Sequence, residues 1–382
     1  MTVFEWMQRH YAQRDLAARA WKEKGGKVVG YFCDSVPEEL ILAAGIFPIR
    51  LSGDPKGPMD IARKTLIPRF TAREGFVHSM LNMLLTGAYD FLDYLIIPHA
   101  RDSIHRLYQL LVMVKSAKPD LNLPELFFLD TLHTQFFSSG MYERDRLLEL
   151  KEKLEEWSGR KITPPSLSEA IETTNENKQL LKKVATLRAA DPPSLSGVEA
   201  LQIIGSSMVM MKKDHNELLK TFLDEADKQP VQKGRRVFVS GSPLDNLQLY
   251  EIIESNNAVV VAEDHCWGNR YSDVPIDTTI DPLEAIIDRY HFKSPCSRMF
   301  PMQRRIDYCL RSAEEAGAQQ AIFFVYKHDN AEAWEIPEKM KALGEKGIGT
   351  LVLKNQPYRI SELEKLKAEL NQFFSAASKA TG

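Results

Sequence analysis

KVVGYFCDSVPEELILAAGIFPIRLSG, residues 27–53, decides how the rest of the chain is read. Val28 to Cys33 is a short apolar run closed by an aspartate, the pattern of a buried strand. Asp34 or Ser35 offers a helix N-cap, Pro37 suits the first helical turn, and Glu38 and Glu39 suit the positive end of a helix dipole. Leu40, Ile41, Ala43 and Ala44 give that helix an apolar face, Gly45 ends it, and Phe47 to Leu51 is a second strand. Strand, helix and strand make an α/β unit. Its turn between Cys33 and Glu39 lies where open α/β sheets take their ligands, at the carboxyl end of a strand.

The pattern repeats on both sides of a different texture. Residues 2–24 read as one amphipathic helix, 54–69 as a proline-rich loop, 71–85 as a helix, 93–100 and 125–130 as strands, and 102–115 as a helix that starts at Asp102. Charged helices then fill 141–157 and 166–189, with one or two more in 196–228. Strands return at 235–241, 257–264, 321–327 and 348–354, with helices near 244–255, 281–290, 300–316 and 331–345, and a closing helix capped by Ser361. The expected fold is α/β, with two Rossmann-like parallel-sheet domains, 1–140 and 233–382, flanking a helical region, 141–232. The cleft between the two halves is the expected ligand site.

Bulk properties narrow the function. A length of 382 residues suggests two or three domains, and 44% hydrophobic with 26% charged residues fits a soluble globular protein. A net charge of -3 and no basic cluster argue against nucleic acid. No apolar run approaches the ~20 residues that span a bilayer, and the N-terminus lacks the apolar block of a signal peptide. Four cysteines without a CxxC spacing fit a reducing cytoplasm and no disulfide framework.

No GxGxxG, Walker A, HExxH or GxSxG motif is present. SGSP, residues 240–243, reads as a tight turn or a phosphate cradle. EDHCWGNRY, residues 263–271, follows a strand and makes Asp264, His265, Cys266, Trp267 and Arg270 site candidates, although Cys266 also reads as a buried, inert thiol. In KHDNAEAW, residues 327–334, Asp329 or Asn330 could cap a helix, and in PHARDSIHRL, residues 98–107, Arg101 could bind an anion or face solvent. His78, His99, His105 and His265 read as surface or packing residues rather than acid–base groups. The methionines at 208, 210 and 211 read as helix core.

A resemblance adds to this reading. The signature at 36–53, GAYDFLDYLIIPHARDSIHRLY at 87–108, SGRKIT at 158–163 with NENK at 175–178, VVVAEDHCWGNRY at 259–271 and FFVYKHDNAEAWEIP at 323–337 together resemble the 2-hydroxyacyl-CoA dehydratase and benzoyl-CoA reductase family. The nearest type is the smaller cluster-binding subunit. The resemblance implies one-electron reduction of a CoA thioester by two related subunits, each with a [4Fe–4S] cluster on three cysteines and served by an ATP-dependent activator. The three ligand positions fall here on Glu74, Arg101 and Asp329. Thiolates hold such clusters, and an arginine cannot ligate iron. The expectation is therefore no cofactor bound by this chain, a salt-bridge set among those three residues, and a [4Fe–4S] cluster in a paralogous partner subunit. The implied ligand is an acyl-CoA, with Ser35, Glu38, Glu39 and Arg270 as substrate-binding candidates and no catalytic residue assigned. For Ser35, Glu38 and Glu39 the helix-start role is an equal alternative. A non-catalytic acyl-CoA-binding or scaffold paralogue is the rival reading, and an enzyme with metal-free chemistry in the inherited cleft is a third.

Overall fold

The computed structural model describes residues 1–58, 60, 75–226, 230–293, 296 and 298–380. The opening stretch folds as read: β1 (Val28–Tyr31), α1 (Glu38–Ala43) and β2 (Phe47–Arg50). All four residues of β1 are buried, because helices cover both faces of its sheet. Val28 points into one core with Leu95 and Ile97, while Val29 and Tyr31 point into the other with Ile96. Gly30 is required by a close approach, since a Cβ there would lie 2.9 Å from Leu92. With β3 (Tyr94–Pro98) and β4 (Glu125–Leu129) these strands form a parallel sheet in the order β2-β1-β3-β4.

The second sheet repeats this plan with β5 (Arg235–Gly241), β6 (Ala258–Asp264), β7 (Gln320–Tyr326) and β8 (Gly349–Gln356), parallel in the order β6-β5-β7-β8. Val237, Val239, Ile322 and Phe324 face one core, and Phe238, Ala321, Phe323 and Val325 face the other. Strand alternation thus feeds two helix-covered faces, as in the first sheet.

Between the sheets lie helices α2 (Phe137–Ser158), α3 (Pro164–Ala189), α4 (Gly197–Ser207) and α5 (Lys212–Asp224). They do not keep a core of their own. Leu147, Leu154 and Leu167 pack with the first sheet, whereas Leu181, Leu201 and Phe222 pack with the second. Met208 and Met210 are buried in these cores, but they lie in the turn between α4 and α5 and not within a helix as read from sequence.

Two local expectations are corrected. Residues 2–24 form two helices, Val3–Ala12 and Leu16–Glu23, rather than one. At the break Arg14 turns inward, donates to the Asp245 carbonyl and lies over the rings of Tyr11 and Trp267. Neither Asp34 nor Ser35 caps α1; Pro37 holds the cap position without a side-chain bond. Cys33 takes a left-handed backbone with φ 59°, so the chain turns before the helix begins and carries Asp34 and Ser35 toward the other sheet.

Candidate functional site

The carboxyl ends of the eight strands among the described residues open onto one cavity of about 540 Å³ between the two sheets. β1 and β2 supply Cys33, Ser35 and Arg50; β3 and β4 supply Arg101 and His133. β5 and β6 supply Asp245, Cys266 and Arg270, and β7 and β8 supply Lys327 and Arg359. Parallel strands end together, so two sheets set end to end bring all their βα turns into one place.

Buried cations dominate its wall. Arg50 is 2% exposed and donates from Nη1 to the Cys266 carbonyl at 2.6 Å, while its Nη2 lies 2.8 Å from Cys266 Sγ. Its guanidinium also lies over the Trp267 ring, 4.5 Å from the centroid. Among the described residues no carboxylate pairs with Arg50, and its Nε is buried without a hydrogen bond. Arg270, also 2% exposed, meets Asp264 at 3.2 Å, but Asp264 is shared with Lys339 at 2.8 Å. Arg101 and Arg298 converge on Asp329 at 3.5 and 2.9 Å. Ser242 donates a further bond of 2.8 Å to that carboxylate. Burial alone would push the Asp329 carboxyl up, yet the two guanidinium groups hold it below its ordinary value.

The expected meeting of Arg101 and Asp329 is therefore present, across 228 residues of sequence. Glu74, the third member of that expected set, lies outside the described residues. Asp329 stands at the N-cap of the helix Asn330–Glu345 but makes no side-chain cap bond, because the arginines and Ser242 take its oxygens. The SGSP segment is a tight turn: Gly241 has φ 118°, and an added Cβ would lie 2.3 Å from the Phe324 carbonyl.

Of the residues singled out from sequence, Ser35 and Arg270 line the cavity, and Ser35 Oγ is buried without a hydrogen bond. Glu38 and Glu39 do not line it. Glu38 accepts from the Tyr31 and Tyr271 hydroxyls and pairs with Lys212 at 3.0 Å. Glu39 pairs with Lys178 at 3.1 Å and accepts from Tyr290 at 2.8 Å. Both carboxylates thus tie α1 to the helical region. His78 lies on the cavity wall, whereas His265 is fully buried beside Tyr250 at 2.9 Å, with burial lowering its pKa to about 4. His99 finds its carboxylate in Asp130, 2.7 Å away.

Several wall residues carry no mark in the sequence. Arg50 ends the PIR segment of β2 with nothing to distinguish it from a surface arginine, and Arg298 falls in an irregular loop. Glu143, from a helix read as charged, is 5% exposed and faces the cavity, accepting from the Leu132 N–H, with His291 Nδ1 at 3.8 Å. Burial pushes the Glu143 carboxyl up to about 7.

An iron–sulfur cluster would need thiolates. Cys33, Cys266 and Cys296 line the cavity, while Cys309 lies in a core of the second sheet. Burial pushes the Cys33 thiol up to about 12 and raises Cys296, so both favour the protonated form. Among the described residues no group of three or more His, Cys, Asp and Glu side chains is placed to hold a metal ion. No helix among the described residues is long and apolar enough to cross a membrane.

Known proteins are similar to this chain in sequence over most of their length. The chain is 26% identical over 333 residues to the (R)-phenyllactyl-CoA dehydratase beta subunit of Clostridium sporogenes, covering 86% of each chain. It is 29% identical over 278 residues to a benzoyl-CoA reductase subunit of Thauera aromatica, covering 71% of this chain and 70% of that one. It is 24% identical over 348 residues to the beta subunit of (R)-2-hydroxyglutaryl-CoA dehydratase of Acidaminococcus fermentans, covering 89% and 90%. Residues 33–375, which hold the residues of the cavity wall and the strands β2 to β8, match the family described as 2-hydroxyglutaryl-CoA dehydratase, D-component, and the chain belongs to that family.

Proposed function

We propose that this chain is a subunit of an acyl-CoA dehydratase or reductase and that its cavity receives the acyl thioester. The supporting observation is the cavity itself: eight strand ends converge on a space of about 540 Å³, walled by buried arginines and an unpartnered serine hydroxyl. Ser35 and Arg270 are the groups we assign to the thioester carbonyl. A hydroxyl and a guanidinium there would stabilise negative charge gathering on its oxygen, in a site where burial strengthens each interaction.

In this reading the chain carries no cluster, and electrons reach the thioester from a [4Fe–4S] cluster in a related partner subunit, which an ATP-dependent activator supplies. The ion pair of Arg101 with Asp329, at two of the ligand positions that the resemblance implies, supports this. A docking surface supports a partner. Leu132, Phe136, Phe137, Met141 and Phe300 are exposed large apolar side chains, and the Thr134–Phe300 bridge joins their two segments beside the cavity wall at Leu132.

Iron and acid-labile sulfide, measured on protein purified without oxygen, test the cluster-free reading. About four iron atoms per chain would return Cys33, Cys266 and Cys296 to a ligand role and overturn it. Calorimetric titration with acyl-CoA esters tests the pocket. Binding without turnover, even beside a cluster-bearing subunit, would favour an acyl-CoA-binding scaffold. Turnover by the iron-free chain alone would favour metal-free chemistry.

A further inference from the structure

Three titratable side chains on the cavity wall have no part in holding the thioester carbonyl: His133, Glu143 and His291. They come from the loop after β4, from α2 and from the short helical turn Asp288–Phe292. Oε1 of Glu143 accepts the Leu132 N–H and stands 3.8 Å from His291 Nδ1, while no hydrogen bond among the described residues reaches Oε2. Asp130 adds negative charge nearby, burial lowers the pKa of both His133 and His291, and Arg298 acts on His133 rather than on Glu143. No cation therefore holds this carboxylate ionised, and burial pushes it up to about 7, close to what a base needs at neutral pH. His291 is 3% exposed, and neither of its ring nitrogens makes a hydrogen bond; the Thr134 backbone is its other polar neighbour. Buried polar groups are nearly always satisfied, so an unpaired imidazole beside an open carboxylate oxygen marks a place for a ligand.

The same wall leads to the thioester site. Leu147, one turn along α2 from Glu143, lines the cavity and packs in one core with Ile287 and with Val36, the residue after Ser35. Tyr290, beside His291, lines the cavity too and donates to Glu39 in the helix that Ser35 precedes. The Ser35 turn and the Glu143 carboxyl thus border one stretch of largely apolar wall. We propose that Glu143 is a base that removes and returns a proton at C2 of an acyl thioester bound in the cavity. The inference rests on the acyl-CoA reading and adds to it an activity that needs no electron, cluster or partner subunit. With the carbonyl oxygen at Ser35 and Arg270, C2 is one bond from the carbonyl carbon, on the side of the acyl chain. The C2–H bond breaks, its proton goes to Glu143 Oε2, and its electron pair passes to the carbonyl oxygen. The Ser35 hydroxyl and the Arg270 guanidinium stabilise the resulting enolate. Reversal restores the thioester with a proton that the carboxyl has exchanged with water. Nothing is oxidised or reduced, and the ester leaves unchanged except for the hydrogen it carries.

The test incubates the full chain, purified without iron, with butanoyl-CoA or 3-phenylpropanoyl-CoA in deuterium oxide, reads the recovered ester by mass spectrometry, and measures binding of both esters by calorimetry. Deuterium should enter C2 about a hundredfold faster than in buffer. The rate should rise with pH through about 7, where Glu143 ionises. Glu143→Gln keeps an acceptor for the Leu132 N–H and should lose about a hundredfold in exchange with little change in affinity. If that variant does not fold, the pH profile of the parent chain decides: a rise through about 7 sustains the proposal, and a rate level from pH 5 to 9 overturns it. Binding without exchange overturns the proposal and leaves the acyl-CoA reading standing. Exchange that Glu143→Gln retains overturns it as well. If neither ester binds, the acyl-CoA reading fails and this proposal fails with it.

Discussion

Two sets of buried charges in this chain behave differently. Around the VPEE turn each acid has its own base: Glu38 pairs with Lys212 and Glu39 with Lys178, and tyrosine hydroxyls fill the remaining oxygens. Around the cavity Arg101 and Arg298 share Asp329, Arg270 shares Asp264 with Lys339, and Arg50 meets no carboxylate among the described residues. The closed set joins elements. Lys178 comes from the NENK block, Tyr271 from the HCWGNRY block and Glu39 from the signature, so three stretches far apart in sequence meet in one polar knot. The open set faces the cavity. Pairing, rather than burial or charge alone, separates a structural cluster from a binding wall.

The largest expected effect breaks the closed set. Glu39→Ala leaves Lys178 buried and unpaired and should cost about 3–5 kcal/mol in denaturant unfolding. Glu39→Met combined with Lys178→Met should recover most of that loss. A single variant as stable as the parent would show that the pair is not closed as described.

The open set should respond in the opposite sense. Arg50→Met removes a buried cation without a carboxylate and keeps much of its volume. Unliganded stability should therefore stay level or rise by about 1–3 kcal/mol. A loss as large as that of Glu39→Ala would mean that Arg50 is satisfied without a ligand, and the contrast between the two sets would fall.

A smaller effect separates the two sets by pH. Burial raises Glu143 from 4.5 to about 7. Between those values the folded chain keeps a proton that the unfolded chain has released, so this group makes stability fall as pH rises across that window. Glu143→Gln should flatten the decline in midpoint measured from pH 4.5 to 7, and an unchanged slope would refute the assignment. Glu39 lies the other way: burial opposes its ionisation, but Lys178 and the hydrogen bonds hold its pKa below 4.5. Its contribution is present above the ordinary carboxylate pKa and fades as acid titrates the folded carboxylate.

The smallest effect calibrates the others. Lys213 and Glu169 form an ion pair of 2.6 Å with both side chains largely exposed. Lys213→Ala should leave the unfolding midpoint within experimental error, because water screens such pairs.

Local pattern carried the fold far. The strands near 28–33, 93–100, 235–241 and 321–327 all form within a few residues of their expected ends, as does the long helix Pro164–Ala189. The helix expected over 2–24 failed because its break is set by Arg14 reaching Asp245, a contact across 231 residues. The site was legible in part. Ser35, Arg101, Arg270 and Asp329 follow strand ends, and the strand-end rule applies to them directly. Glu38 and Glu39 share the same turn but face the helical region, and Arg298 and Glu143 sit in a loop and on a charged helix where no local signal distinguishes them.

By itself the sequence determined the alternation of strands and helices and the family, because hydrophobic period, caps and motif blocks are written in neighbouring residues. Only the tertiary structure decided which charges find partners. Arg101 meets Asp329 across 228 residues and Lys178 meets Glu39 across 139, while Arg50 is left facing the cavity. Such pairings depend on how two sheets and the helices between them pack, and that geometry is not contained in the spacing of residues along the chain.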